Sequence, residues 1–127
     1  MTPAMRVVLG GALIGVAACG GGGGGSAAGS GYPTGGTTSK TPGTNEVVAT
    51  FNNAFNPTSR TVAAGTTITF TFESVAHNVY FDTAAGAPLD ITGSNANTSV
   101  TRTFSATGSF GYTCHIHPSM HGTIVVQ

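Results

Sequence analysis

The 127-residue sequence sets four Lys or Arg against four Asp or Glu, so its formal net charge is zero and only 6% of its residues are charged. That length accommodates one domain of ordinary size. The basic residues Arg6, Lys40, Arg60 and Arg102 are scattered, which excludes a nucleic-acid surface, because neutralising phosphates requires clustered cations.

The chain opens with "MTPAMRVVLGGALIGVAACG". Arg6 and the N-terminus precede Val7–Ala18, an uncharged and mostly apolar run. The run is too short to cross a bilayer as a helix and suits the apolar core of a secretory signal. The stretch "VAAC" that closes it resembles the lipobox of bacterial lipoproteins: an aliphatic residue, two small residues, then a cysteine. The resemblance implies a signal peptide over residues 1–18 and lipid on Cys19. It also implies a membrane-anchored protein on the periplasmic or extracellular side of the cell envelope. Two or more acyl chains anchor stably, since each buried CH₂ contributes about 0.8 kcal/mol. A plain secretory signal or a short membrane anchor is the competing reading. With lipid on Cys19, Cys114 has no disulfide partner. Its thiol would then oxidise outside the cytoplasm unless something occupies it.

Residues 20–45, "GGGGGGSAAGSGYPTGGTTSKTPGTN", have no apolar periodicity. Such a segment buries too little to offset its ordering entropy, so residues 19–45 are expected to form a flexible tether. The folded domain is placed at 46–127. At about 80 residues it is small for one β core, and a bound metal would add stability.

Within it the signals are those of strands. "EVVATF" (46–51) is β-branched and aromatic; "TTITFTFE" (66–73) alternates, with Ile68, Phe70 and Phe72 on one face and Thr67, Thr69 and Thr71 on the other. "HNVYFD" (77–82) follows, then "TAAGAPLDITGSNANT" (83–98), read as a long loop from its Gly, Pro, Asn and Ser. "SVTRTF" (99–104) is a strand and "ATGS" (106–109) a turn. "FGYTC" (110–114) puts Phe110, Tyr112 and Cys114 on one inward face, and "GTIVV" (122–126) closes the chain. No stretch has a helical period. Short strands punctuated by turns predict an all-β sandwich with Greek-key connections.

The chemistry concentrates in "CHIHPSMHG", Cys114–Gly122, which holds three of the four His, one of the two Cys and one of the three Met. A thiolate, an imidazole and a thioether are a soft donor set, which copper accepts and zinc or hard cations use poorly. A trigonal Cys–His–His site with a long axial Met describes blue copper. His77, the one His outside this loop, is the natural second imidazole. Taken singly, a buried Cys is most simply a small hydrophobe and a surface His simply solvated; His115 and His121 keep that bland reading, with a weak second metal site or a role in docking as alternatives. Phe110 and Tyr112 read as core, and Glu73 and Asp82 as surface groups.

The spacing C-x2-H-x2-M at Cys114, His117 and Met120, with "HNVYFD" upstream, "GSFGYTC" leading in and "MHGTIVV" leading out, resembles the cupredoxins of the amicyanin and plastocyanin type. The resemblance covers residues 46–127. It implies one copper ion held by His77, Cys114, His117 and Met120, with Asn78 in the surrounding shell, its backbone N–H donating to the Cys114 sulfur and its side chain tying the two ligand loops together. The family usually has Pro two residues after the Cys, whereas this chain has Ile116. Proline lacks an N–H, so Ile116 is expected to give the thiolate an added hydrogen bond, favouring Cu(I) and raising the potential.

Four protein donors leave no open position for a substrate, so catalysis on a bound molecule is not expected. The resemblance implies one-electron transfer instead, with His117 as the ligand nearest solvent. Docking would be weak and brief, on redox proteins such as a cytochrome or another donor or acceptor, by a monomer held to the membrane through its lipid. The domain is only mildly acidic, so strong steering is not expected. Copper storage or delivery without electron shuttling is the alternative, and a Cys114–His117 nucleophile enzyme a more distant one, lacking an orienting acid.

Overall fold

The computed structural model describes residues 38–127; the expected signal peptide, Cys19 and most of the tether lie outside the described residues. No helix occurs among the described residues. Nine strands do: β1 (Glu46–Ala49), β2 (Phe55–Asn56), β3 (Ser59–Val62), β4 (Thr66–Phe72), β5 (His77–Phe81), β6 (Ile91–Asn95), β7 (Thr98–Phe104), β8 (Gly108–Thr113) and β9 (His121–Val126). They form a four-stranded sheet in the order β2-β1-β4-β7 and a five-stranded sheet in the order β3-β9-β8-β5-β6. Each sheet contains one parallel pair, β1 with β4 and β3 with β9, the other pairings being antiparallel. The expected all-β sandwich is the fold.

Alternation sets which face is buried. In β4, Ile68, Phe70 and Phe72 are buried while Thr67, Thr69 and Thr71 face outward, and in β8, Phe110 and Tyr112 point inward. The inner faces interlock through aromatic edges. Tyr112 meets Phe55, Phe70 and Phe81 at ring-centroid distances of 4.9, 5.5 and 5.8 Å, and Phe104 meets Phe110 at 5.7 Å. The three Tyr112 pairs are edge-to-face, and aromatic pairs of that kind contribute about 0.5–1.5 kcal/mol beyond their buried area. The Tyr112 ring lies across Gly122, where an added Cβ would come within 2.4 Å of the phenolic oxygen. Glycine is therefore required there by close approach.

Three strands differ from the sequence reading. β2 and β3 occupy a stretch between 52 and 65 to which the sequence assigned no element, and β6 falls inside the supposed long loop. All three lie at sheet edges. Only Ile91 of β6 is buried, and β3 reads "SRTV" with no buried residue. Edge strands of this kind are held by backbone pairing with a neighbour and carry no apolar alternation to betray them.

The parallel β1–β4 pair ends at Ala49 and Phe72, and Glu73–Ala76 carries the chain across to His77 at the start of β5. β8 ends and β9 begins at Thr113 and His121, paired with each other. Thr50, Glu73, His77 and the whole Cys114–Met120 loop therefore gather at one end of the sandwich.

Candidate metal centre

His77 is the first residue of β5 and is fully buried; Cys114, just past the end of β8, is fully buried as well. Met120, just before β9, is buried, and His117 is half-buried. The loop that carries the last three is closed by its own backbone: Cys114 N–H donates to Met120 O at 2.9 Å and Met120 N–H to His117 O at 2.8 Å. That closure brings Met120 back beside Cys114 and turns His117 toward β5.

His77 Nδ1 and His117 Nδ1 lie 3.1 Å apart, and each is 3.9 Å from Cys114 Sγ. Among the described residues, His77, Cys114 and His117 are a group whose donor atoms all fall within 4.8 Å of one another. Donors bonded at about 2.0–2.3 Å to one shared ion stand no more than about 4.6 Å apart, so the triangle fits a single metal atom. No carboxylate joins the group, and the donor chemistry suits copper.

The orientation of His77 is fixed from behind. Its Nε2–H donates to the carbonyl of Thr50 at 2.9 Å, which places the proton on Nε2 and leaves the Nδ1 lone pair facing Cys114 and His117. Burial, reinforced by the neighbouring His117, pushes the His77 imidazole below the usual histidine range despite the Thr50 bond and the nearby Glu73. The ring is thus kept neutral, the form that binds a metal.

Asn78 ties the two sides together: its Oδ1 accepts from His115 N–H at 2.7 Å and its Nδ2 donates to Gly93 O at 3.3 Å. Asn95 Nδ2 donates to the carbonyl of His77 at 3.1 Å, so β6 braces β5 as well. His115 does not enter the cluster; its ring stacks on Tyr80 with centroids 3.9 Å apart and planes 2° from parallel. His121 Nδ1–H donates to Ser119 O at 3.1 Å and its side chain is exposed. The polar contacts of Cys114 Sγ are the two imidazoles; bonds from Asn78 N–H and Ile116 N–H, both expected from the sequence, are not among them. Ile116 is 40% exposed and Pro118 is exposed beside the half-buried His117.

Glu73 corrects its reading as a plain surface group. Its carboxylate accepts from Phe51 N–H, Lys40 N–H and the Ser39 hydroxyl. Its position four residues before His77 was visible in the sequence; its partners, drawn from residues 39, 40 and 51, were not.

A profile of copper-binding proteins of the plastocyanin/azurin family matches residues 44–127. The chain belongs to that family. Copper is accordingly the cofactor of this cupredoxin, as its donor set indicates. Amicyanin-alpha of Methylorubrum extorquens is 35% identical over 69 residues, 52% of this chain and 58% of the relative, so this cupredoxin spans little more than half of that protein. Among solved structures it resembles oxidised plastocyanin from Dryopteris crassirhizoma, with a TM-score of 0.54 and 28% identity over 65% of this chain and 99% of the other. It also resembles a copper-containing nitrite reductase from Thermus scotoductus, with a TM-score of 0.57 and 26% identity, covering 65% of this chain but only 22% of the reductase.

Proposed function

We propose that the domain is a type 1, blue copper protein that carries single electrons between larger redox proteins. His77, Cys114, His117 and Met120 would hold the ion. The observation that carries this reading is the convergence of one thiolate and two imidazoles from β5 and the β8–β9 loop within hydrogen-bonding distances, three of the four donor residues being buried.

Bound copper supplies a one-electron couple there. The protein's part is to hold soft donors in one arrangement suited to both oxidation states, so that little moves when an electron arrives. The Thr50 carbonyl keeps the His77 lone pair aimed at the site, the backbone of the Cys114–Met120 loop fixes the other three donors, and Asn78 locks that loop to β5. Of the four donor residues His117 alone is half-exposed, which makes its ring edge the route for electrons. Ile116 and Pro118 beside it supply the apolar rim on which a partner such as a cytochrome would dock weakly, as redox encounters do. With four protein donors no position is left for a substrate, which supports a carrier over an enzyme. A monomer anchored at the cell envelope by lipid on Cys19 belongs to the same proposal and rests on the sequence.

Titrating the purified protein with Cu(II) tests it. The expected outcome is uptake of one equivalent with intense absorption in the red, lost in Cys114→Ser. A protein that takes up no equivalent overturns the copper site. A colourless one that holds copper loosely as Cu(I) overturns the carrier role in favour of storage or delivery.

A further inference from the structure

The Thr50–Phe51 peptide group has a partner at each end. Its carbonyl, Thr50 O, accepts the Nε2–H of His77 at 2.9 Å, and its N–H, on Phe51, donates to Glu73 Oε2 at 2.8 Å. A carboxylate, one peptide unit and the imidazole of a proposed copper ligand thus form an unbroken hydrogen-bonded chain. The carboxylate is itself held in place. Ser39 Oγ donates to Oε2 at 3.2 Å and Lys40 N–H to Oε1 at 2.6 Å. The Glu73 backbone is pinned between Ala49 O at 3.0 Å and Asn97 N–H at 2.8 Å.

We propose that Glu73 is a positioning residue for the metal centre, acting on His77 through the Thr50–Phe51 peptide. A hydrogen bond to an anion at the N–H end of an amide polarises the group and makes its carbonyl a stronger acceptor. The stronger acceptor draws on the Nε2–H and makes Nδ1 a better donor. This is the familiar arrangement of a carboxylate behind a metal-bound histidine, here with a peptide unit inserted between them. The inference deepens the copper reading and rests on it for its functional meaning.

The charge the relay needs is present. Burial by itself would push the Glu73 carboxyl up, but the donors from Lys40, Phe51 and Ser39 outweigh it and hold the group below the ordinary carboxylate range. Two of those donors come from residues 39 and 40, ahead of β1. The segment leading into the sandwich therefore forms part of the support of the metal centre.

Glu73→Gln separates the relay from simple packing, because the amide can still reach Phe51 N–H but carries no charge. The readout is the His77 Nε2–H proton in the NMR spectrum of the metal-free protein, so the result stands whether or not the copper reading does. The expected result is an upfield shift of that proton and exchange with water several-fold faster than in the wild type. In the copper-loaded protein the same substitution raises the reduction potential. An Nε2–H signal with wild-type shift and exchange overturns the proposal, whatever the potential does. Should Glu73→Gln not fold, Glu73→Asp withdraws the carboxylate by one methylene and is read by the same signal with the same two outcomes. Ser39→Ala serves as the control: it removes one donor to Glu73, leaves the Phe51 contact in place, and should move the signal far less.

Discussion

At Cys114 the chain holds a thiol with no solvent exposure, and its polar neighbours are two imidazoles. Single residues around it make separable predictions. Ile116 N–H does not reach the Cys114 sulfur, so Ile116→Pro should leave the reduction potential of the copper form near the wild-type value; a clear fall would show that this N–H bonds the thiolate once copper is held. Tyr112 poses a different question. Its hydroxyl has no hydrogen-bond partner among the described residues, and burial pushes its phenol well up from the ordinary value despite Arg60 nearby. A buried polar group without a partner costs about 1–3 kcal/mol, so Tyr112→Phe should leave stability unchanged or raise it, by up to about 1 kcal/mol in a denaturant melt. Gly122→Ala should do the reverse. Its methyl group would meet the phenol at 2.4 Å, and overpacking of this kind costs about 1–3 kcal/mol.

Among the elements, the β8–β9 hairpin and β5 carry the site between them, and Asn78 is their main side-chain link. Asn78→Ala strips the His115 N–H and Gly93 O of their partners. The expected loss is about 1–3 kcal/mol in the metal-free protein, measured by urea unfolding. An altered visible spectrum should accompany it in the copper form, because the Cys114 loop loses its fixed distance from β5. A spectrum and stability equal to wild type would show that the loop is held by its own backbone bonds alone. Readability from sequence also divides at this scale. β4 and β8 were legible because each has one buried face and so alternates strictly. β3 and β6 are edge strands with polar or glycine-rich sequences and owe their existence to β9 and β5 beside them.

For the molecule as a whole, charge is so sparse that individual carboxylates matter to acid stability. Glu46 sits where β1 begins and accepts from Lys40 Nζ, the Thr71 hydroxyl and Gly43 N–H, the last at 2.8 Å. Burial works against its ionisation, yet these donors together bring its carboxyl down from 4.5 to about 2. A carboxyl whose folded-state value is depressed adds stability above its unfolded value and loses it as pH falls through the folded one. Stability should therefore decline as pH drops from about 4.5 towards 2, and Glu46→Gln should flatten that part of a thermal-melting profile against pH. A decline of the same steepness in the variant would assign acid sensitivity to other groups.

The metal centre was legible in part for a physical reason. Three of its proposed donor residues lie within seven consecutive residues, where spacing is set by one short loop, and a soft donor set has few uses other than copper. His77 was reachable by elimination, as the one histidine left outside that loop. The sequence by itself thus determined the donor chemistry, the alternation that makes a sandwich, and the family. Tertiary structure decided what stands behind the donors: the Thr50 carbonyl on His77, the Glu73 carboxylate on Phe51 N–H, the Asn78 bridge, and His115 diverted onto Tyr80. These contacts join residues 22 to 37 positions apart or run through backbone atoms that every residue shares, so no side-chain pattern along the chain records them.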